Sequence, residues 1–501
     1  MGNLIRNERL KLYKRPSTWI LTGIIVALSL IGLILSNLLM GSAYVYDWRW
    51  SCEQEIEYYT MVLRENPEDA EAAKYLEINT YRLENDISPS DWRSSALEEY
   101  ASLKYGSGYG DKSGLITIGP DGQPSDGTDG GTAEPDAETL ERANALKAMI
   151  DSNDWRSYVE QKIADLESGY TPSANEDEKQ VSIEMYGLYL EYDVPPSSGI
   201  YYGDNTADWR YTQIQSICAN KLALIRGEDD YGNLLSQNKR ARLEEENAVS
   251  IQRIATDTPP VESASFLGLL ESTVTSMELV TLLLIVFAGG IIASEFGTGT
   301  VKLLLITPHR RKKIFWSKAV ILLEITLITV AAVFVLAFLL CGAFTGFQGI
   351  GTMQVMTLFG QTARFPYLLY IVMKMLLLLL PALAYGALAL MLSAVTRKSA
   401  VAIAVSLLLM FGSQIVMALI VAYTSYGGGV IPGIKFLFFA NTDLAAYLPS
   451  SSGAIGAIMG TSGGSLPDNS MTLGFSVAVV LIYTACFLWI ARDSFCRRDV
   501  K

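Results

Sequence analysis

Histidine is almost missing from this chain: His309 stands alone among 501 residues. A single histidine cannot build a metal centre of several His ligands. Cysteine is also sparse, five residues with no CxxC pair and no Cys/His spacing, so no zinc or redox motif is present. No GxxxxGK phosphate loop occurs, and such a loop is what would cradle a nucleotide's phosphates. We therefore expect no enzyme, no metal and no cofactor on this chain. With a net charge of −13, nucleic acid is not an expected partner.

Charge is absent altogether from residues 18–40. Half of the chain is apolar, and the apolar residues cluster in six stretches: 18–40, 266–293, 315–344, 365–395, 400–423 and 471–491. A bilayer core about 30 Å thick needs about 20 apolar residues per helix, so each stretch is long enough to span. A cleaved signal peptide competes for the N-terminus, but its apolar region would run only about 7–15 residues. We expect an uncleaved first span.

Acidic charge is concentrated in one block. Residues 41–265 hold 43 Asp/Glu and 19 Lys/Arg, whereas the rest holds 9 and 20. Lys and Arg near span ends stay cytoplasmic. Five basic residues in 1–17, six in 294–318, Arg397-Lys398, and four after Ile490 fit six spans with both ends inside a bacterial plasma membrane. The block 41–265 is then extracellular, with shorter outer loops at 345–364 and 424–470. A cytosolic turn falls at 396–399 and a cytosolic tail at 492–501. Cys52 and Cys218 both lie in the outer block, where a disulfide between them and two free thiols are both open.

The string Asp-Trp-Arg occurs four times in that block, at Trp48, Trp92, Trp155 and Trp209. Each is followed by a helix-like stretch, and Asp suits the N-cap, where it accepts backbone N–H groups of the first turn. The reading is a mainly helical domain of hairpin-like units whose tryptophans are structural. The Gly/Asp/Ser/Pro-rich run 106–135 reads as a mobile loop. A solvated acidic surface is the plain meaning of the charge.

Charges at membrane depth are costly and are usually paired or pathway-lining. Glu278, Glu324 and Lys374 fall roughly mid-span, where an ion pair locking the bundle, such as Glu278 with Lys374, and a transport-path role are both open. Pro381 is expected to kink its helix. Phe436 to Leu448 is apolar but too short to span, which suggests re-entrant half-helices within 424–470.

Between the second and third spans lies SEFGTGTVKLLLITPHRRKKIFWSK. Glu295, Gly297, Gly299, Thr300, Lys302, Leu304, Pro308 and Arg311 follow one another with basic residues behind them. This stretch resembles the joining loop of ABC-2 type permeases. There, a Glu-aromatic-x-x-Gly-Thr-aliphatic-Lys run, a Leu-Leu pair, a Pro and basic residues connect those spans. Residues 1–17, with Glu8, Lys11, Lys14-Arg15 and Trp19 following, resemble the family's leading cytosolic helix. The resemblance covers 1–40 and 266–501, and the block at 41–265 is far larger than the loop usual there. It implies an all-α permease fold of six transmembrane helices and a homodimer. It also implies export by alternating access, with 294–314 as the coupling loop to a separate ATPase that carries ATP and Mg. The alternative is a membrane-anchored extracellular sensor or binding protein, for which one or two spans would suffice. A membrane-embedded protease would need paired His, Ser or Asp at depth, and none stands out.

Overall fold

The computed structural model describes residues 2–41, 47–105, 137–170, 175–197, 208–228, 232, 234–235, 237–262, 264–297, 310–358, 361–425, 431–448 and 471–497. The chain divides into two compact units, residues 42–225 and residues 1–41 with 226–501. The stretch 106–135 lies outside the described residues.

In the first unit, each helix that follows an Asp-Trp-Arg string starts on its Trp: α3 (Trp48–Glu65), α5 (Trp92–Tyr105), α7 (Trp155–Ser168) and α9 (Trp209–Arg226). The preceding Asp accepts first-turn amides: Asp47 from Arg49 and Trp50, Asp91 from Arg93, Asp154 from Ser157 and Asp208 from Arg210. That satisfies donors which the first turn leaves without an intrahelical partner. Between these helices run α4 (Ala70–Glu84), α6 (Ala137–Ser152) and α8 (Glu176–Glu191).

Three hairpins, α3–α4, α5–α6 and α7–α8, result, and each ends the same way. Asp86, Asn153 and Asp193 take φ of 52°, 54° and 54°, the left-handed region that Asn and Asp tolerate. The next amide then reaches back to Arg82, Met149 or Tyr189, closing the helix end. The string at each hairpin's start grips this closing residue. Arg49 bonds Asp86, Trp92 Nε1 donates to Asn153 Oδ1 at 3.0 Å, and Arg156 bonds Asp193 at 2.6 Å. Trp48 and Trp92 are buried, whereas Trp155 and Trp209 are partly exposed. The core packs Trp92, Leu97, Leu146, Ile150 and Val159 together. Cys52 and Cys218 are both free and buried, so no disulfide joins them. Cys52 stands four residues past Trp48, as Val159 stands past Trp155 in α7, and both are core positions.

The second unit opens with α1 (Gly2–Tyr13) and α2 (Pro16–Gly41). It resumes with α10 (Gln237–Ala255). The first compact unit thus ends inside the block 41–265 of the sequence. α10 packs on the strands described next, where Arg253 bonds Gln354, and Arg242 reaches the Ala446 carbonyl. The second apolar stretch is broken. α11 (Phe266–Ser272) passes through a 3-10 turn, Thr273–Ser276, into α12 (Met277–Ile291) and the short α13 (Ala293–Gly297). Thr273 and Ser276 hydroxyls bond back to Leu270 and Thr273 carbonyls, competing with the helix ladder at the break.

α14 (Arg311–Thr345) takes in the basic residues Arg311 to Lys313 as its first turn, so the third apolar helix starts before 315. The 345–364 segment is not a plain loop. β1 (Met353–Leu358) and β2 (Gln361–Pro366) pair antiparallel, with Met353 opposite Pro366, so the fold is not purely α-helical. α15 (Tyr367–Thr396) runs through Pro381 and packs against α12, α16 (Ser399–Ser425) and α17 (Leu473–Arg497). Small residues allow the close approach: a methyl on Gly386 would stand 2.6 Å from the Leu284 side chain. Residues 434–447 form three 3-10 turns rather than half-helices. Asn441 Nδ2 holds them by donating to the Lys435 and Leu437 carbonyls, at 2.8 Å each. The rest of 424–470 lies largely outside the described residues. Among the described residues, six helical stretches are long and apolar enough to cross a membrane: Pro16–Leu35, Phe266–Gly297, Arg311–Thr345, Tyr367–Thr396, Ser399–Tyr423 and Leu473–Arg497.

Candidate functional site

The charged side chains of the second unit gather at two levels. The first level joins α1, α13 and α14. Lys318, in the third turn of α14, has a side chain only 1% exposed. Its Nζ lies 2.9 Å from Glu8 Oε2 and 2.7 Å from Glu295 Oε1. Lys11 adds a second ammonium, 3.3 Å from Glu8 and 3.6 Å from Glu295. Two carboxylates thus meet two ammonium groups, which is what removal from water demands of buried ions. Burial alone would push the Glu8 carboxyl up, but Lys318 and then Lys11 outweigh it and hold it below the ordinary range.

Six residues further along α14, Glu324 meets α1 again. Arg9 Nη2 lies 2.9 Å from it and the Tyr13 hydroxyl donates to it at 3.1 Å. Burial, then Glu324, pushes the Tyr13 hydroxyl up to about 12. α1 is therefore fastened to α14 twice with opposite polarity, acid to base and base to acid. Glu324 is not a lone mid-span charge but the second of these fastenings.

At the second level, Lys374 of α15 lies 2.6 Å from Glu271 Oε1 of α11, and the Tyr367 hydroxyl donates to the other Glu271 oxygen. Lys374 and Glu271 are both buried. The Glu278–Lys374 pair is thus replaced: Glu278 instead accepts from Gln414 Nε2 of α16 at 3.3 Å. The reason is depth. Glu271 and Lys374 lie five and seven residues past the starts of α11 and α15, whereas Glu278 lies beyond the 3-10 break.

Of the stretch singled out between the second and third spans, Glu295 and Gly297 close α13 and Arg311 opens α14, donating to the Cys496 carbonyl at 3.3 Å. Glu295 is buried against Lys318. Gly299, Thr300, Lys302, Leu304 and Pro308 lie outside the described residues. Sequence reasoning noted Glu8 and Lys11 only as part of a pattern and counted Lys318 only as a basic residue. The signal available was a lone Glu in each of two basic segments, 1–17 and 294–318. Among the described residues, no group of three His, Cys, Asp or Glu is placed to hold a metal ion.

Six apolar helices with ion pairs closed between them make this a multi-pass membrane protein. The chain belongs to the family described as protein of unknown function DUF2705, whose model matches residues 251–501. It is 30% identical over 254 residues to the uncharacterized membrane protein YdbK of Bacillus subtilis (strain 168), covering 51% of this chain and 90% of that protein. It is also 30% identical over 224 residues to the uncharacterized protein YhcI of the same organism, covering 44% of this chain and 65% of that protein, a little under two thirds. No solved structure matches the chain.

Proposed function

We propose that this chain is the membrane subunit of an ATP-driven exporter of the ABC-2 type, working as a homodimer with a separate ATPase. Both termini lie in the cytoplasm and residues 41–265 lie outside the plasma membrane. One observation carries the reading. The segment 298–309 is bracketed by Glu295 and Lys318, which bond each other; Lys318 also bonds Glu8 of α1, and Lys11 of α1 lies 3.6 Å from Glu295. A push on that segment therefore reaches α1, α12 and α14 together, as alternating access requires of a loop that a partner drives. Buried ion pairs suit the role because separating them is costly, so the three elements move as one. The ATPase contact itself falls on Lys302, Leu304 and Arg311, with Glu295 positioning the loop from within.

The test uses the full chain in its native membrane. Leu304→Asp should leave insertion intact and abolish co-purification of an ATPase subunit. A full complement of ATPase with that variant would overturn the reading. The sidedness has its own check: cysteine placed at Ser125 should label from outside intact cells and cysteine placed at Thr307 should not.

A further inference from the structure

The hairpin unit stacks by a rule that its first helix breaks. Aligned on their Trp-Arg pairs, Trp50, Tyr58 and Met61 of α3 correspond to Ser94, Ser102 and Tyr105 of α5 and to Ser157, Asp165 and Ser168 of α7. In α9, Tyr211 takes the place of Trp50. In each later helix this face receives the helix that precedes it. Lys74 of α4 donates to Ser102 at 2.7 Å, and Tyr105 donates to Glu77 of α4 at 2.6 Å. Arg142 of α6 pairs with Asp165, and Tyr189 of α8 stacks on Tyr211 with centroids 5.8 Å apart. On α3 the same face is open: Trp50, Tyr58 and Met61 are 61%, 58% and 54% exposed. The end helix of a stacked array normally turns a polar face outward. Here the places of Ser94 and Ser102 in α5 and of Ser157, Asp165 and Ser168 in α7 carry two aromatics and a methionine, the residue types that anchor interfaces, whereas the apolar counterparts Tyr211, Ala219 and Leu222 belong to α9, on which Tyr189 of α8 stacks.

The charge around the slot says what fills it. Glu53, Glu57 and Glu65 surround the three apolar residues and are exposed, against Arg64 alone. In two of the three inner stacks, the incoming helix presents a Lys or Arg at the place of Tyr58. A second copy of α3 would set like charges against one another, which is unfavourable across an interface. We propose that the open face of α3 is a docking slot for a cationic, amphipathic α-helix supplied by a partner polypeptide. Such a helix lays its apolar stripe on Trp50, Tyr58 and Met61 and its basic residues against Glu53 and Glu57. The inference stands apart from the exporter reading, since it uses residues 47–226 alone.

The probe is a fluorescent 18-residue Leu/Lys peptide with helical periodicity, titrated onto the full-length protein in zwitterionic nanodiscs, with empty nanodiscs and a Leu/Glu peptide as controls. Saturable binding of the Leu/Lys peptide is expected. Trp50→Ser/Tyr58→Ser/Met61→Ser should weaken it by roughly tenfold or more. Glu53→Lys/Glu57→Lys, both on exposed positions that do not bear on folding, should switch the preference to the Leu/Glu peptide. Equal binding by all three proteins would overturn the proposal. So would a disulfide between two copies carrying Tyr58→Cys, which would make a second copy the occupant. Quenching by brominated lipid that disappears in Trp50→Phe would assign the face to the bilayer and overturn it as well.

Discussion

The ion pairs that close the hairpins and those that join the apolar helices stand in opposite surroundings. In the hairpin unit, Arg49–Asp86 and Arg156–Asp193 sit in water, with more than half of each side chain exposed. They grip a hairpin whose stability comes from an apolar core of Trp92, Leu97, Ile150 and Val159. In the membrane unit, Lys318 with Glu8 and Glu295, and Lys374 with Glu271, are buried. Lipid tails are as apolar as leucine, so apolar burial does little to choose one helix neighbour over another there. Polar contacts at depth take over that selection, because the alternative is a bare charge in hydrocarbon. The same chemical pair is thus a trim on one side of the molecule and a specifier on the other.

Removing one buried partner should therefore do the most damage. Lys318→Met leaves Glu8 and Glu295 facing each other with Lys11 as their remaining cation, and should cost about 3–5 kcal/mol. Thermal aggregation of the full chain in detergent reads it, and adding Glu8→Gln and Glu295→Gln should recover much of the loss. A Lys318→Met protein as stable as the parent would erase the contrast between the units.

An apolar truncation in the hairpin unit comes next. Trp92→Ala should cost about 3–5 kcal/mol as a core deletion, seen as faster hydrogen exchange across α5 to α7 in the full chain. Trp155→Ala should cost clearly less, because Trp155 is partly exposed. Equal losses would mean that the tryptophans do more than pack. Smaller still, Arg49→Ala and Arg156→Ala should each cost about 0–1 kcal/mol, as exposed pairs do. A loss several times larger would place these grips among the specifiers.

The last effect is one of pH. Burial pushes the Glu77 carboxyl up, but bonds from Lys104 and Tyr105, with the Lys104 charge, outweigh it and hold it below the ordinary value. A depressed carboxyl contributes stability that is present above its unfolded value and lost as pH falls through its folded one. Local stability at α4 and α5 should thus decline as pH drops below about 4. Glu77→Gln should flatten that decline, and an unchanged pH profile would remove Glu77 from the ledger.

What was legible in the sequence followed from local periodicity. Six apolar runs about 20 residues long announce themselves, and Asp before Trp-Arg announces a helix start wherever it falls. Pairings between distant helices were not legible. Glu278 was matched to Lys374 by counting along apolar stretches, but depth runs from each helix's own start, and the 3-10 turn at Thr273–Ser276 resets it. Glu8 and Lys318 lie 310 positions apart, and no pattern near either residue names the other. The β-hairpin was missed because Met353–Leu358 is a short alternation inside what length alone made a loop. The free thiols of Cys52 and Cys218 were undecidable from number and compartment, since each simply fills a buried place in its own helix.

The opposed fastenings of α1 on α14 constrain how that helix can travel. Sliding α1 one way along α14 would bring Glu8 toward Glu324, and sliding it the other way would carry Arg9 away from Glu324 and Lys11 toward Lys318, so either slide exchanges an attraction for a repulsion. Rotation about the line that joins the two fastenings keeps both intact. The joint is keyed: it resists translation and permits tilt.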